Sequence, residues 1–238
     1  MANIGTIDFY IGVPSLSRED FESYSTQLFD EWESYVGQNL ELRDYSLVLE
    51  VEEGSIKAKG KILATASVLY FGIAQYGSFI SGLQTINNQV KAVGDYLGER
   101  ASSPFDLSRV QPKLRKRGES LARLESLFVK VQRGELTVEI AMQETEAIFG
   151  VELEEAPEFY KDLKESLEQT LVTPEQMELK LIDVNGEELT NPQQPPKQPR
   201  KPKPRTPSPP VDQFRVEVWR ETKNSKRNIK VTTLRKSP

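Results

Sequence analysis

The chain has 238 residues, with 31 Lys and Arg against 36 Asp and Glu, and it contains no cysteine and no histidine. Without these two residue types it has no disulfides, no thiolate or imidazole metal ligands and no histidine general base. It also lacks glycine-rich phosphate loops, the nucleophile-elbow motif and calcium-loop spacing. We therefore expect a non-enzymatic protein without a catalytic, cofactor or metal site.

Charge divides the chain into two parts. Residues 1–190 contain 18 Lys and Arg against 33 Asp and Glu, whereas residues 191–238 contain 13 against 3. An acidic globular part followed by a cationic arm is typical of a protein that contacts a partner.

The N-terminal region begins with a predicted strand and continues with a predicted helix. Residues 7–13 place apolar side chains at every second position, which indicates a half-buried strand. Ser17 and Asp20 have the spacing of a capping box, which predicts a helix start. The helix carries an apolar stripe that is more typical of core packing than of a binding face. The stripe consists of Phe21, Tyr24, Leu28, Trp32 and Tyr35.

A β-hairpin is predicted next, with strands over residues 47–51 and 56–60 and a turn between them. The first strand presents Glu50 and Glu52 outward, and the second presents a row of lysines, so the two strands match in charge. The lysine row is predicted to be a solvated face, with phosphate binding as the alternative. It consists of Lys57, Lys59 and Lys61.

Residues 62–90 contain no charge over 29 positions, and we predict one long helix there. Its apolar part, residues 62–83, is long enough to span a bilayer, which takes roughly 20 residues. Scattered hydroxyl groups and Gln75 make it only moderately hydrophobic, which favours a buried core helix over a membrane span. Small residues recur every four positions at Ala74, Ser78 and Gly82, a spacing at which helices approach closely. The candidate membrane residues are Ile62, Leu69, Ile73, Phe79 and Leu83.

A mainly helical region is predicted after the Ser-Ser-Pro at residues 102–104. Apolar spacing predicts helices over residues 114–132, 137–149 and 157–171, and a strand over residues 179–184. A basic cluster stands at the start of the first helix and is predicted to be exposed, with nucleic-acid contact as the alternative. The cluster consists of Lys113, Arg115, Lys116 and Arg117.

The C-terminal arm combines a linker and a hairpin. Residues 191–210 are nearly half proline and predict an extended linker that reaches on the order of 60 Å. Residues 211–238 alternate in two halves, which predicts a basic β-hairpin. Two strands alone are marginal in water, so the hairpin is expected to dock on the acidic body, to dock on a partner's sheet edge, or to stay fluctuating. The apolar pattern of the body is expected to be complete by Leu189. The candidate partner-binding residues are Lys201, Lys203, Arg205, Phe214, Val216, Val218 and Trp219.

These elements predict an α+β protein: a small antiparallel or mixed sheet packed by helices, a helical region, and a tethered C-terminal hairpin. The expected segments are residues 1–100, 101–190, 191–210 and 211–238.

The expected function is that of an interaction or adaptor protein whose Pro-rich arm and hairpin engage a protein partner. The alternative is a membrane-active protein that inserts residues 62–83. Non-specific nucleic-acid binding through the tail is a third hypothesis, disfavoured because the acidic body repels phosphates. Residues 1–14 lack a signal-peptide pattern, which favours a cytoplasmic protein, or a membrane-associated one under the alternative.

Overall fold

The computed structural model describes residues 1–13, 16–105, 113–170 and 213–234. These residues form an α+β fold in which helices pack against one antiparallel sheet. The strands are β1 (Ala2–Ile11), β2 (Ser46–Glu52), β3 (Ile56–Ala64), β4 (Lys113–Arg117), β5 (Gln213–Arg220) and β6 (Asn228–Leu234). The helices are α1 (Arg18–Asn39), α2 (Ala66–Ala74), α3 (Phe79–Ser102), α4 (Glu119–Gln132), α5 (Val138–Phe149) and α6 (Pro157–Glu168), with a 3₁₀ helix at Gly150–Leu153.

The strands follow the order β4-β1-β3-β2-β5-β6, and every neighbouring pair is antiparallel. The predicted hairpin is confirmed as β2 and β3. Its turn contains Gly54 and Ser55, both with positive φ, 90° and 82°. Glu50 pairs with Lys59 and Glu52 with Lys57 across the two strands, so the predicted charge match is also confirmed.

One face of the sheet is apolar and is covered by α1 and α3. Gly60 of β3 lets both helices approach, because a Cβ there would lie 2.6 Å from Leu97 of α3 and 3.3 Å from Trp32 of α1. Strand side chains alternate between the two faces of a sheet, which explains why every second residue is buried in β3, in residues 47–52 and in residues 7–11. The buried strand residues include Ile7, Phe9, Ile11, Leu47, Leu49, Val51, Ile56, Ala58, Ile62, Val216 and Val218.

The helix start at Ser17 is confirmed. The Asp20 N–H donates to Ser17 Oγ at 3.1 Å, and the Ser17 hydroxyl donates to the Asp20 carboxylate at 2.6 Å. The aromatic stripe of α1 lies on the core side, as expected: Phe21, Leu28 and Trp32 are buried. Its partly buried members Tyr24 and Tyr35 pack beside Phe105 and Tyr96.

The prediction of one helix over residues 62–90 is wrong. The first three of these residues belong to β3, and the rest form two helices, α2 and α3, separated by residues 75–78. Among the described residues, no helix combines the length and the apolar character needed to cross a membrane. The five candidate membrane residues all lie in the core instead: Ile62, Leu69, Ile73, Phe79 and Leu83.

The hydroxyl residues of this segment explain the break. Thr65 Oγ1 accepts a hydrogen bond from the Val68 N–H and caps α2, and Ser78 Oγ accepts one from the Ser81 N–H and caps α3. Gly77, at φ +79°, reverses the chain between the two helices. Threonine and serine compete for backbone hydrogen bonds, so they favour helix starts over helix interiors.

The basic cluster at residues 113–117 is a strand, which corrects the predicted helix start at residue 114. β4 pairs antiparallel with β1, and α4 begins at Glu119. The side chain of Leu114 lies against Gly98 of α3, and Lys116 pairs with Asp95 at 2.5 Å. β4 carries four charges in five residues, which suits an edge strand because its side chains and one side of its backbone stay in contact with water.

Helices α4, α5 and α6 confirm the three helices predicted after residue 113. Thr137 caps α5 without a carboxylate three positions later, as expected. Aromatic rings join α5 and α6 to α2 and α3 around Phe159, whose ring centroid lies 5.4 to 6.2 Å from those of Tyr70, Phe79 and Phe149. The predicted strand over residues 179–184 and the linker over residues 191–210 lie outside the described residues.

The predicted C-terminal hairpin is present as β5 and β6. β5 pairs with β2, so the hairpin extends the main sheet and belongs to the same compact unit, Met1–Thr173 with Asp212–Pro238. Val216 and Val218 are fully buried. The apolar pattern of the body was expected to be complete by Leu189. The core nevertheless includes Val216 and Val218 of the C-terminal arm.

Candidate functional site

The hairpin is held on the body by strand pairing and apolar contact. Val216 lies opposite Val51, and Val218 lies opposite Leu49. All four side chains are at most 1% exposed. The arm therefore docks on its own body by strand addition at β2.

Ion pairs on α1 and β2 reinforce that docking. Arg220 Nη1 lies 2.5 Å from Glu33 Oε1, and Arg227 pairs with Asp30. Arg215 pairs with Glu52 of β2, and this hydrogen bond raises the pKa of the Arg215 guanidinium. Burial raises the pKa of the Glu33 carboxyl, while the charge of Arg220 opposes the effect. Opposite charges of the arm and the body therefore meet within one molecule.

The turn of the hairpin is also attached to the body. The Lys223 N–H donates to Asp44 Oδ1 at 2.8 Å, and the Lys223 ammonium lies 5.5 Å from the ring centroid of Tyr45. Burial raises the pKa of the Tyr45 phenol to about 12. The Ser46 hydroxyl donates to the Glu221 carbonyl. Contacts at both the strands and the turn fix the position of β6.

Among the described strands, β6 lies at one edge of the sheet, and the register shows which of its backbone groups face outward. The Glu53 N–H donates to the Phe214 carbonyl at 2.9 Å, so Phe214 bonds toward β2. Bonding direction alternates along a strand, so Arg215, Glu217 and Trp219 bond toward β6. Their partners Thr232, Lys230 and Asn228 bond back toward β5. The backbone N–H and C=O groups left at the open edge are those of Ile229, Val231 and Thr233.

The two outermost described strands, β4 and β6, differ in how well their sequences prevent a further strand from pairing with them. Natural sheets protect their edges with charged side chains, especially lysine. β4 has four cations among five residues, whereas β6, with the sequence Asn-Ile-Lys-Val-Thr-Thr-Leu, has one among seven. Isoleucine, valine and threonine favour strands. Of the two edges, β6 is therefore the one suited to accept another strand.

The second face of the sheet is polar, and no described element covers it. The register arranges its side chains in rows that cross all six strands. One row runs through Arg115, Asp8, Lys59, Glu50, Glu217 and Lys230, and the next through Lys113, Tyr10, Lys57, Glu52, Arg215 and Thr232. A third begins at Arg117, Thr6 and Lys61.

This face has a cationic half on β1, β3 and β4, which we call the cationic face. It contains six basic residues, Lys57, Lys59, Lys61, Lys113, Arg115 and Arg117, around Asp8 and Tyr10. Arg117 pairs with Asp8 at 2.5 Å, and Lys61 pairs with Glu50 at 3.0 Å. Within the described part of the chain, the other four cations form no ion pair.

The partner-binding residues predicted from the sequence are separated by the structure. Val216 and Val218 lie in the core, and Phe214 packs partly buried against it, with the Arg18 guanidinium 5.6 Å from its ring centroid. Trp219 is half-buried on the polar face of the sheet, opposite Val48. Lys201, Lys203 and Arg205 lie outside the described residues, and their role stays a prediction.

Sequence reasoning found the hairpin but missed the cationic face. The missing information was that β1 lies between β3 and β4. A signal was present, because cations occupy every second position both at Lys57, Lys59 and Lys61 and at Lys113, Arg115 and Arg117. Among the described residues, no group of three or more acidic side chains is arranged to hold a metal ion.

Comparison with protein-family models, curated proteins and solved structures finds no significant match to this chain.

Proposed function

We propose that this protein is a non-enzymatic interaction protein that binds an extended segment of a protein partner along β6. The observation that carries the proposal is the open edge at Ile229, Val231 and Thr233. An added strand would pair with these backbone groups and extend the antiparallel sheet. The basic Pro-rich linker, predicted from sequence alone, supplies a second contact in this proposal.

The side chains of β6 specify the kind of strand that fits. Ile229 and Val231 lie on the covered face of the sheet, and Ile229 is 40% exposed, so apolar side chains of a partner would extend the core there. Lys230 is on the polar face, where it has one neighbouring acid, Glu217, at 4.0 Å. A fitting partner strand therefore alternates apolar and polar residues and places an acid beside Lys230.

The proposal is tested with peptides selected from a displayed random library on the immobilised full chain. We expect the selected peptides to alternate as described, and Val231→Pro to weaken their binding about tenfold, because proline removes one outward N–H worth about 1.4 kcal/mol. Affinity is measured by fluorescence anisotropy with the selected peptides.

Val231→Ala is the matched control, because it also removes the branched valine side chain but keeps the N–H. We expect it to bind the peptides within about twofold of the unaltered chain. Equal binding by the proline and alanine variants would show that the peptides use another surface and would refute the proposal. If the chain instead dimerises in sedimentation and Val231→Pro abolishes the dimer, the strand added at β6 comes from a second copy.

A further inference from the structure

We propose that the cationic face of β1, β3 and β4 binds single-stranded nucleic acid, with Tyr10 as a stacking platform for a base. This inference concerns the opposite part of the sheet from β6 and does not depend on strand addition there.

The spacing of the cations suits a repeating anion. Lys57 and Lys113 flank Tyr10 in one row, and Lys59 and Arg115 flank Asp8 in the next. Residues two apart on a strand are about 7 Å apart, and two strands separated by a third are about 10 Å apart. Four cations without an ion pair among the described residues thus form a flat block that two or more neighbouring phosphates of one backbone can contact together.

Tyr10 distinguishes nucleic acid from a simple polyanion. Its side chain is 38% exposed on the cationic face, between two lysines. Proteins that bind single strands combine a cationic surface with exposed aromatic rings on which bases stack. An acidic peptide would use the cations but would give no reason for a tyrosine at their centre.

The negative charge of the whole body does not cancel this site. The other acids of the polar face are Glu50, Glu52 and Glu217 on β2 and β5. Two of them are themselves paired, Glu50 with Lys61 and Glu52 with Arg215. Asp8, the acid inside the block, pairs with Arg117. At physiological salt, charges more than about 8 Å apart are largely screened, so the acids on the rest of the body contribute little at this site. The acidic strands then limit a bound strand to the β4 side of the sheet.

The test uses the full chain and fluorescein-labelled oligo-dT and oligo-U, with anisotropy as the readout. We expect Tyr10→Ala to weaken binding roughly fivefold or more, because stacking contributes at least about 1 kcal/mol per base. Tyr10→Phe keeps the ring and is expected to bind within about twofold. Lys57→Gln combined with Lys113→Gln is expected to reduce the slope of log affinity against log salt by about 1.4, since each contact with a single strand contributes about 0.7.

Lys161→Gln combined with Lys164→Gln is the matched control, because it removes the same charge from exposed positions on α6. We expect it to leave affinity and slope nearly unchanged. No binding at physiological salt would overturn the proposal. If Tyr10→Ala and the Lys57→Gln, Lys113→Gln pair bound as strongly as the unaltered chain, the binding would belong to the C-terminal arm and the proposal would also be overturned. Equal affinity for polyglutamate, with no effect of Tyr10→Ala, would identify a general polyanion surface and would also overturn it.

Discussion

Val218→Asp is expected to destabilise the whole protein, with a loss of about 3–5 kcal/mol in the free energy of unfolding. The side chain of Val218 is fully buried on the covered face of the sheet, opposite Leu49, so a carboxylate there loses its hydration and gains no partner. For a chain of this size the loss corresponds to a melting temperature lower by roughly 10 °C. Urea unfolding followed by circular dichroism measures the first quantity, and a thermal scan measures the second.

Val151→Asp is the matched control, because it makes the same substitution at a valine that is 74% exposed. We expect it to change the stability by no more than about 0.5 kcal/mol. A Val218→Asp variant as stable as Val151→Asp would mean that the hairpin is detached from the core. That result would support the sequence-based expectation of a body complete by Leu189 and would contradict the sheet order described above.

Local patterns predicted the local elements well. The capping box at Ser17, the hairpin of β2 and β3, and the cap at Thr137 each depend on residues within a few positions of one another. In such elements the backbone groups find their hydrogen-bond partners within a few residues, so a short stretch of sequence is enough to predict the element. The alternation of residues 213–234 predicted a hairpin for the same reason.

The prediction from apolar composition was wrong where the chain reverses direction within the core, over residues 62–90. Residues 62–90 look continuous because a charge-free stretch suits a long helix, a strand end or two packed helices equally well. What divides them is local: Thr65 and Ser78 cap helices, and Gly77 takes a positive φ. The membrane alternative arose from the same ambiguity, because a segment buried on all sides in protein has the apolar content of one buried in lipid.

Long-range pairing was the part that the sequence could not supply. β5 pairs with β2 across more than 160 positions, and β4 pairs with β1 across more than 100, as the contacts Arg215–Glu52 and Arg117–Asp8 illustrate. Alternation shows that a strand has two faces but leaves its neighbours open. The cationic face and the open edge of β6 both arise from the strand order, so neither could be placed from the sequence.

The close contact of α2 and α3 leads to the second large expected effect. Gly82→Ala should lower the free energy of unfolding by about 2 kcal/mol or more, although alanine favours helices over glycine by about 1 kcal/mol. A Cβ at Gly82 would lie 2.2 Å from the Ile73 carbonyl oxygen and 2.8 Å from the Ile73 Cα. These are backbone atoms at the end of α2, so the clash can be relieved only by moving one helix. Urea unfolding of the full chain measures the loss.

Gly37→Ala in α1 separates the clash from helix propensity. A Cβ at Gly37 would meet only the Tyr45 hydroxyl oxygen, at an ordinary 3.5 Å, so the substitution keeps the packing. We expect it to be neutral or to stabilise the protein by up to about 1 kcal/mol, opposite in sign to Gly82→Ala. If both variants were equally stable, α2 and α3 would not meet at Gly82. The small-residue spacing of Ala74, Ser78 and Gly82 would then have no part in helix packing. The structure instead gives the three residues different roles: Ala74 ends α2, Ser78 caps α3, and Gly82 lets the two helices touch.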